Sequence, residues 1–363
     1  MLKLMNNGQS KVCILHRSLK YSLSSLLLVT LFFIVTACSN DSVEVITLEN
    51  NKVKLEVTPD IGGRVLSFSL RDHKNFLKTG EPVQTVPHPK VDAEANNIPY
   101  LGHINWVGPQ TSWWIQQDIN PARLKEKALW PPDPYLIFAR NRVVERSPNR
   151  LVMEGADSPV SGVRLKKSFS LPDNDRAEVR LDVTATNIRS KNVSWDLWFN
   201  TRVYSTTRVY VPVAREADVR NNSFTDNEAT GPLEFSLIDG LLTFEYNPPP
   251  PGTDKREGKL HIQPSHGWLA GFSNGQALVI TFPLQPGETI HPDQGQVELY
   301  LKYQPGNTPE ELIEMQVHSP YTTLEPGQSM SASEEWTILP YEGPDERSAH
   351  TAFLRSYFSG KDG

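Results

Sequence analysis

The chain has 363 residues and a formal net charge of −6, and it is long enough to bury a large core. A negative net charge without a cluster of basic residues argues against nucleic-acid partners and against binding to anionic membrane surfaces. We therefore expect no nucleic-acid partner.

The N-terminus has the layout of a secretory signal. Residues 1–37 contain four basic residues and no acidic ones, and an apolar run extends from Leu26 to Val35. This run of about ten residues is too short for a transmembrane helix, which needs about 20. Basic, then apolar, then small residues is the order found in secretory signal peptides. Cleavage after residue 37 changes the net charge of the remaining chain from −6 to −10, since four basic residues leave with the signal.

The end of this signal indicates a lipid anchor. Val35-Thr36-Ala37-Cys38 resembles a bacterial lipobox, in which the cysteine is acylated and becomes the first residue of the mature protein. The resemblance implies lipidation of Cys38 and a lipidated linker at 38–44. Because Ser39 rather than Asp follows the cysteine, it also implies the outer membrane of a Gram-negative bacterium. The alternative is an ordinary signal peptide with a chance cysteine.

Alternation with a period of two dominates the rest of the chain. Polar and apolar residues alternate in 52–57, 65–70, 178–183 and 297–301. Successive strand side chains point to opposite faces, so the pattern indicates sheets with one buried face. Only residues 308–315 suggest a helical turn, with Thr308 as cap and Pro309 in the first turn. Proline-containing turn signals separate the strand runs, at 59–60, 172–175, 286–287, 305–306 and 326–327.

We therefore predict one all-β domain at 45–340, built of antiparallel sheets packed face to face, and a polar C-terminal tail at 341–363. Three stretches have the composition of long loops, at 80–135, 214–232 and 247–258, and the first holds six Trp or Tyr residues. Long loops in compact domains tend to be functional.

Several familiar catalytic motifs are missing from the sequence. It has no Gly-x-Ser-x-Gly, no P-loop, no Gly-x-Gly-x-x-Gly and no His-Glu-x-x-His. We expect no cofactor and no bound metal. The remaining candidates are carboxylates, a few histidines and clustered tryptophans, whose faces stack on the C–H faces of sugars while polar groups bind hydroxyls. Core packing is the alternative for the tryptophans.

Three short motifs resemble those of galactose mutarotases (aldose 1-epimerases). Thr186-Asn187 and then Asp196-Leu197-Trp198-Phe199-Asn200-Thr201 resemble the segment that ends in His-x-Tyr-Phe-Asn-Leu in those enzymes. Ile313-Glu314-Met315-Gln316 and Leu324-Glu325-Pro326-Gly327 resemble their Glu-x-Gln and Leu-x-Pro-Gly, and residues 60–65 resemble their early Gly-pair turn. The resemblance implies a galactose mutarotase-like antiparallel supersandwich, from a bacterial lipoprotein branch of that superfamily.

The resemblance also implies roles for single residues. Glu314 matches the general base of the family. Asp196 occupies the position of the histidine that acts as the general acid, and His103 corresponds to another active-site histidine. An Asp can act as the acid only if burial or a nearby carboxylate raises its pKa. The alternatives are a structural carboxylate for Glu314, a turn residue or partner of Arg202 for Asp196, and a loop hydrogen-bonding residue for His103. The candidate sugar-binding residues are Trp106, Trp113, Trp114, Trp198, Asn200, Arg202 and Arg64.

Together these features predict a lipid-anchored envelope protein that binds carbohydrate, with mutarotase-type acid/base chemistry at the anomeric centre. The departure at Asp196 and the lipid anchor favour non-catalytic glycan binding instead. A structural lipoprotein that has lost the site is a third hypothesis, and a hydrolase or lyase is a fourth. The predicted partners are a carbohydrate and the membrane, through the lipid on Cys38.

Overall fold

The computed structural model describes residues 42–172, 175–223 and 231–360. The predicted signal peptide and Cys38 lie outside these residues. Within them the chain forms twenty β-strands. In chain order the strands are β1 (Ile46–Glu49), β2 (Val53–Thr58), β3 (Arg64–Leu70), β4 (His103–Gly108), β5 (Arg142–Ser147), β6 (Arg150–Glu154), β7 (Val163–Ser170), β8 (Glu178–Asn187), β9 (Val193–Val203), β10 (Arg208–Pro212), β11 (Val219–Ser223), β12 (Phe235–Ile238), β13 (Leu241–Phe244), β14 (Arg256–Ile262), β15 (Trp268–Ser273), β16 (Gln276–Thr281), β17 (Val297–Tyr303), β18 (Leu312–His318), β19 (Thr322–Leu324) and β20 (Ser329–Pro340).

Two antiparallel sheets contain these strands. The first has the order β1-β2-β3-β4-β9-β18-β17-β14-β11, with β19 also paired to β9. The second has the order β12-β13-β10-β15-β16-β20-β8-β7-β6-β5. The predicted all-β sandwich of antiparallel sheets is confirmed.

The main core lies between the two sheets. On β8, every second residue from Val179 to Ala185 is buried, as the alternating sequence requires. Phe68 on β3 and Trp336 on β20 bring the sheets into contact, with ring centroids 5.7 Å apart. Burial of each large apolar side chain contributes about 1.5–3 kcal/mol, so this layer supplies most of the driving force for the sandwich.

Helices are few and mostly short in the described residues. They are α1 (Pro82–Thr85), α2 (Pro121–Glu126), α3 (Pro134–Ile137) and α4 (Arg347–Ser359), beside three 3₁₀ turns. The C-terminal segment therefore includes a docked helix: the His350 ring of α4 stacks on Phe272 of β15 at 4.0 Å, and Leu354 is buried. No helix among the described residues has the length and apolar character needed to cross a membrane.

The predicted helical turn at 308–315 is wrong in its second half: residues 308–310 form a turn, in which the Glu310 N–H donates to the Asn307 carbonyl at 2.9 Å, but β18 begins at Leu312. Ile313 and Met315 point into the core while Glu314 points the other way, which continues the alternation. Both edges of β18 are hydrogen-bonded, to β17 on one side and β9 on the other. These two ladders outweigh the local helix signal. Strands also interrupt the stretches predicted as loops, where β4, β11 and the start of β14 lie.

The outer face of β9, turned away from the second sheet, is covered as well as its inner face. The chain after β4 folds over this outer face and packs Trp113 against Trp106 and Trp198, at centroid distances of 5.4 and 5.7 Å. Both faces of β9 are therefore buried along most of its length. This cover turns part of the outer sheet face into the wall of a cavity.

Candidate functional site

A cavity of about 520 Å³ lies against the outer face of the first sheet. Loop residues, among them Leu129 and Trp130, close its other side. The intervening strand residues, such as Leu260 and Ile313, belong to the core, so alternation along each strand selects the cavity face. The strand residues that line the cavity are Arg64, Trp106, Trp198, Arg202, Glu257, Lys259, Tyr300, Lys302, Leu312 and Glu314.

A row of four polar side chains crosses the cavity floor. Lys259 is opposite Tyr300, Tyr300 is opposite Glu314, and Glu314 is opposite Arg202 in the strand ladders. Neighbouring strands lie about 4.8 Å apart, so side chains of adjacent members reach one another. The floor therefore presents an ammonium, a phenol, a carboxylate and a guanidinium in that order.

Three donors hold the Glu314 carboxylate. Arg202 Nε donates to Oε1 at 2.8 Å, Asn200 Nδ2 donates to Oε2 at 3.2 Å, and Gln316 Nε2 also donates to Oε2. The side chain is mostly buried, yet it lines the cavity. Its position is thus fixed before any ligand arrives, which is what a binding or catalytic carboxylate requires.

Three indoles line the cavity and differ in exposure. Trp106 and Trp198 are buried, with centroids 5.1 Å apart. A cation lies over each: the Arg202 guanidinium is 4.8 Å from the Trp106 ring, and Lys259 Nζ is 4.7 Å from the Trp198 ring. Trp130 is 51% exposed and presents a free apolar surface to a ligand.

A buried charge network extends from the floor into the protein. Lys259 Nζ is 2.8 Å from Glu298 Oε2, and His261 Nδ1 is 2.9 Å from Glu298 Oε1. His318 bridges Glu298 and Asp196, with its Nε2 3.5 Å from Glu298 Oε2 and its Nδ1 2.9 Å from Asp196 Oδ1.

Two groups of this network have displaced pKa values. Burial alone lowers the pKa of His318, but the charges of Glu298 and Asp196 outweigh burial and raise it to about 9. Burial alone raises the pKa of Glu298, yet the charges of Lys259 and His318 hold it well below its usual range. His318 is therefore a cation and Glu298 an anion at neutral pH.

The cavity wall carries two further ion pairs. Lys255 Nζ is 2.9 Å from Glu257, and Lys302 Nζ is 2.6 Å from Glu310. The Tyr300 hydroxyl donates to Glu257 at 2.6 Å, and burial together with that carboxylate raises the Tyr300 pKa well above 10. No group of three or more His, Cys, Asp or Glu side chains in the described part of the chain is arranged to hold a metal ion.

The structure places His103 away from this cavity. His103 stands three residues before Trp106 on β4, so alternation turns its side chain to the opposite face, into the core. Its Nδ1 is 2.9 Å from Thr201 Oγ1, and its ring meets Trp336 edge-on at 4.9 Å. Burial lowers its pKa well below the usual value, and nearby cations lower it further. His103 is thus a neutral, buried side chain without access to a ligand in the cavity.

Asp196 lies on the same face of β9 as Trp198, but it is fully buried and does not line the cavity. It pairs with His318, not with Arg202. The backbone of Gly108 lies so close that a Cβ there would be 2.6 Å from Asp196 Oδ2. Its surroundings therefore separate Asp196 from a ligand.

Trp113 and Trp114 belong to the covering segment, are buried and do not line the cavity. Trp113 Nε1 donates to the Val107 carbonyl at 2.6 Å, and Trp114 Nε1 donates to the Pro131 carbonyl at 2.7 Å. They anchor the segment that leads to Trp130, so packing accounts for both.

The remaining predicted residues come together at the cavity. Its lining includes Arg64, Trp106, Trp198, Arg202 and Glu314. Asn200 is buried and reaches the site through its hydrogen bond to Glu314.

Sequence reasoning missed Lys259, Tyr300, Lys302 and Trp130. A signal for the first three exists in the sequence, because polar residues occupy every second position on three strands that turn out to be neighbours. The three runs are Glu257-x-Lys259-x-His261, Glu298-x-Tyr300-x-Lys302 and Glu314-x-Gln316-x-His318. Such a pattern predicts a polar sheet face, but it cannot show that loops cover the face.

The two antiparallel sheets, packed face to face, have the galactose mutarotase-like fold. A putative aldose 1-epimerase from Klebsiella pneumoniae has a TM-score of 0.55 at 12% identity, over 88% of this chain and 84% of that one. The Slr1438 protein from Synechocystis sp. PCC 6803 has a TM-score of 0.52 at 13% identity, over 82% and 96%. A galactose mutarotase-like protein from Lactobacillus casei has a TM-score of 0.50 at 13% identity, over 82% and 100%. At such identities the similarity shows the fold alone.

The chain belongs to the family described as "Domain of unknown function (DUF4380)", whose model matches residues 43–339. No curated protein matches the chain in a sequence comparison.

Proposed function

We propose that this protein binds a carbohydrate in the cavity of the first sheet, as a lipid-anchored protein of the cell envelope. The observation that carries the proposal is an exposed indole, Trp130, together with the fixed carboxylate of Glu314 in one cavity of about 520 Å³. That volume lies in the range of small-molecule sites.

The chemistry of the lining supports a polyhydroxylated ring as ligand. Sugars have apolar C–H faces and hydroxyl edges, so they need both an aromatic surface and several donors and acceptors. Trp130 offers the surface, while Glu314, Tyr300 and Lys302 offer charged or polar groups on the facing sheet.

We expect the Trp130→Ala variant to bind its glycan about threefold to tenfold more weakly, because it loses an aromatic contact of about 0.5–1.5 kcal/mol. Isothermal titration calorimetry with ligands chosen from a glycan panel measures the change. Tyr246→Ala is the matched control, since Tyr246 is 68% exposed and does not line the cavity. Equal affinities for wild type and both variants would contradict the assignment of Trp130, and absence of binding across the panel would overturn the function.

A second candidate function is mutarotation at the anomeric centre. It requires a base for the anomeric hydroxyl proton and an acid for the ring oxygen, each within hydrogen-bond reach of the sugar. The motif resemblance makes Glu314 the base, and its fixed carboxylate at the cavity supports that role. The acid would come from the same row, from Lys259 or Tyr300, because His103 and Asp196 lie outside the cavity.

If the protein is a mutarotase, Glu314→Gln lowers the rate of anomer exchange by about 10²- to 10⁴-fold, the usual contribution of a general base. Exchange spectroscopy by NMR on a panel of aldoses measures it. Glu335→Gln removes a carboxylate on β20 that does not line the cavity and serves as control, with an unchanged rate. No acceleration by the wild-type protein leaves binding as the function.

The envelope location rests on the N-terminal sequence. Mass spectrometry of the N-terminal peptide tests it, since Cys38 should carry an acyl-modified glyceryl group and Cys38→Ser should abolish membrane fractionation. An unmodified N-terminus at another position would overturn the lipid anchor.

A further inference from the structure

Arg64 is a buried cation that takes part in no ion pair within the described residues. Two of its N–H groups donate to backbone carbonyls, of Leu101 at 2.6 Å and of Ile137 at 3.2 Å, and its Nε has no acceptor. The guanidinium lies 5.6 Å from the centre of the Tyr100 ring and lines the cavity. A guanidinium held only by neutral groups keeps its positive charge uncompensated.

The other charged groups of the cavity are compensated one to one. Each lining carboxylate has a cation partner, and the remaining lysine pairs with a carboxylate just behind the lining. The pairs are Glu314 with Arg202, Glu257 with Lys255, Glu310 with Lys302, and Glu298 with Lys259. The His318–Asp196 pair behind them adds no net charge. Among the lining groups and their ion-pair partners, one positive charge is therefore left over, on Arg64, in a chain whose overall charge is negative. Behind the lining, Lys167 Nζ donates to the Gly62 and Gly63 carbonyls, and burial together with the charge of Arg64 lowers the pKa of Lys167 well below its usual value.

Within the described residues only carbonyl groups accept hydrogen bonds from Arg64, so its charge is not neutralised. Burial lowers the pKa of Arg64 to about 9, and the neighbouring guanidinium of Arg202 contributes in the same direction. Arg202 itself has a buried Nη1 without an acceptor. An uncompensated buried cation is unfavourable, and a ligand anion in the cavity would neutralise it.

We propose, building on the carbohydrate function above, that the ligand is a sugar with a single negative charge and that its anionic group binds at Arg64. A carboxylate of a uronic acid and a sulfate monoester share this chemistry. A sugar phosphate does not match the single positive charge of Arg64, because a phosphate monoester carries about −1.5 to −2 at pH 7. The additional negative charge would be repelled by the carboxylate of Glu314. Arginine also suits the ligand, since its planar fork pairs with oxyanions through directed hydrogen bonds.

Calorimetric titrations with matched sugars test the proposal. The probes are galactose, galacturonate, galactose 6-sulfate and galactose 6-phosphate, with the glucose series and short oligomers in parallel. We expect a monoanionic member of a series to bind about tenfold to a hundredfold more tightly than its neutral counterpart, as hydrogen bonds to charged groups do. The preference falls when salt rises from about 20 to about 200 mM. Comparison of the titrations with galacturonate and galactose 6-sulfate shows whether the anionic group of the ligand is a carboxylate or a sulfate.

Substitutions at Arg64 locate the anion. Arg64→Met abolishes the preference for the charged sugar, and Arg64→Lys retains part of it through the charge alone, which keeps the test valid if the first variant does not fold. Arg123→Met is the matched control, because Arg123 also donates to backbone carbonyls but does not line the cavity. Equal binding of neutral and charged sugars, or tightest binding of the phosphate, would overturn the monoanion. An unchanged preference in both Arg64 variants would overturn the placement of the anionic group at Arg64. Each of these outcomes leaves carbohydrate binding intact. A complete lack of sugar binding would overturn the proposed function itself.

Discussion

The Glu298→Gln variant should lose about 3–5 kcal/mol of unfolding free energy at neutral pH, the usual effect of removing one partner from a buried ion network. Glu298 is almost fully buried and faces Lys259, His261 and His318. Without its charge, these mostly buried groups lose their common anion. Urea unfolding followed by circular dichroism measures the loss. Glu310→Gln is the control: its pair with Lys302 is partly exposed, so we expect a change of at most about 1 kcal/mol.

The pH dependence of this loss identifies His318 as the coupled group. A histidine whose pKa is raised by folding stabilises the fold fully below its unfolded value of 6.5, and this contribution disappears as pH rises through about 9. The shift corresponds to about 3 kcal/mol. The difference between wild type and Glu298→Gln should therefore be largest near pH 6 and smaller at pH 9. The same difference at both pH values would mean that His318 is not charged in the folded protein.

The sandwich could be predicted from the sequence because its strands are amphipathic. On β8 and β17 the period of two is visible without any knowledge of partners, since one face meets the core. The error at 308–315 arose where a local cap signal, Thr308-Pro309, competes with pairing to β9 and β17, which are far away in the sequence. Long-range hydrogen bonds cannot be read from a local window.

The site was only partly predictable for a related reason. Glu314 came from a motif resemblance and Arg202 from the segment of clustered aromatic and polar residues, and both line the cavity. His103 and Asp196 came from the same resemblance, but their access depends on strand phase and on the cover provided by other segments. Lys259 and Tyr300 appeared as ordinary polar positions of half-buried strands, because sequence does not distinguish a polar face that meets solvent from one that lines a cavity.

The Glu334→Gln variant should be more stable than wild type, by about 3–4 kcal/mol between pH 7 and pH 8. Glu334 lies in the core on β20 and has no cation partner within the described residues. Its Oε2 accepts a hydrogen bond from Trp336 Nε1 at 2.8 Å, and its Oε1 has no partner. Burial raises its pKa to about 8, against the smaller opposite effect of the Trp336 hydrogen bond.

The sign of this effect is opposite to that of a salt-bridged carboxylate. Folded protein keeps the Glu334 proton up to about pH 8, whereas the unfolded chain releases it near 4.5, so folding binds a proton between these values. Wild-type stability therefore falls as pH rises from 4.5 to 8, while Gln at this position has no proton to bind. We expect the two proteins to be about equally stable near pH 4.5 and to diverge as pH rises.

Urea unfolding at a series of pH values tests this expectation, with Glu335→Gln as control because the next side chain along β20 points to the opposite face. The contribution of His318 is the same in wild type and Glu334→Gln, so it cancels in the difference between them. A divergence between the two profiles therefore belongs to Glu334. Parallel profiles of wild type and Glu334→Gln between pH 5 and pH 6.5 would show that the carboxylate is already ionised in the folded core, which would require a compensating cation that the contacts of Glu334 do not include.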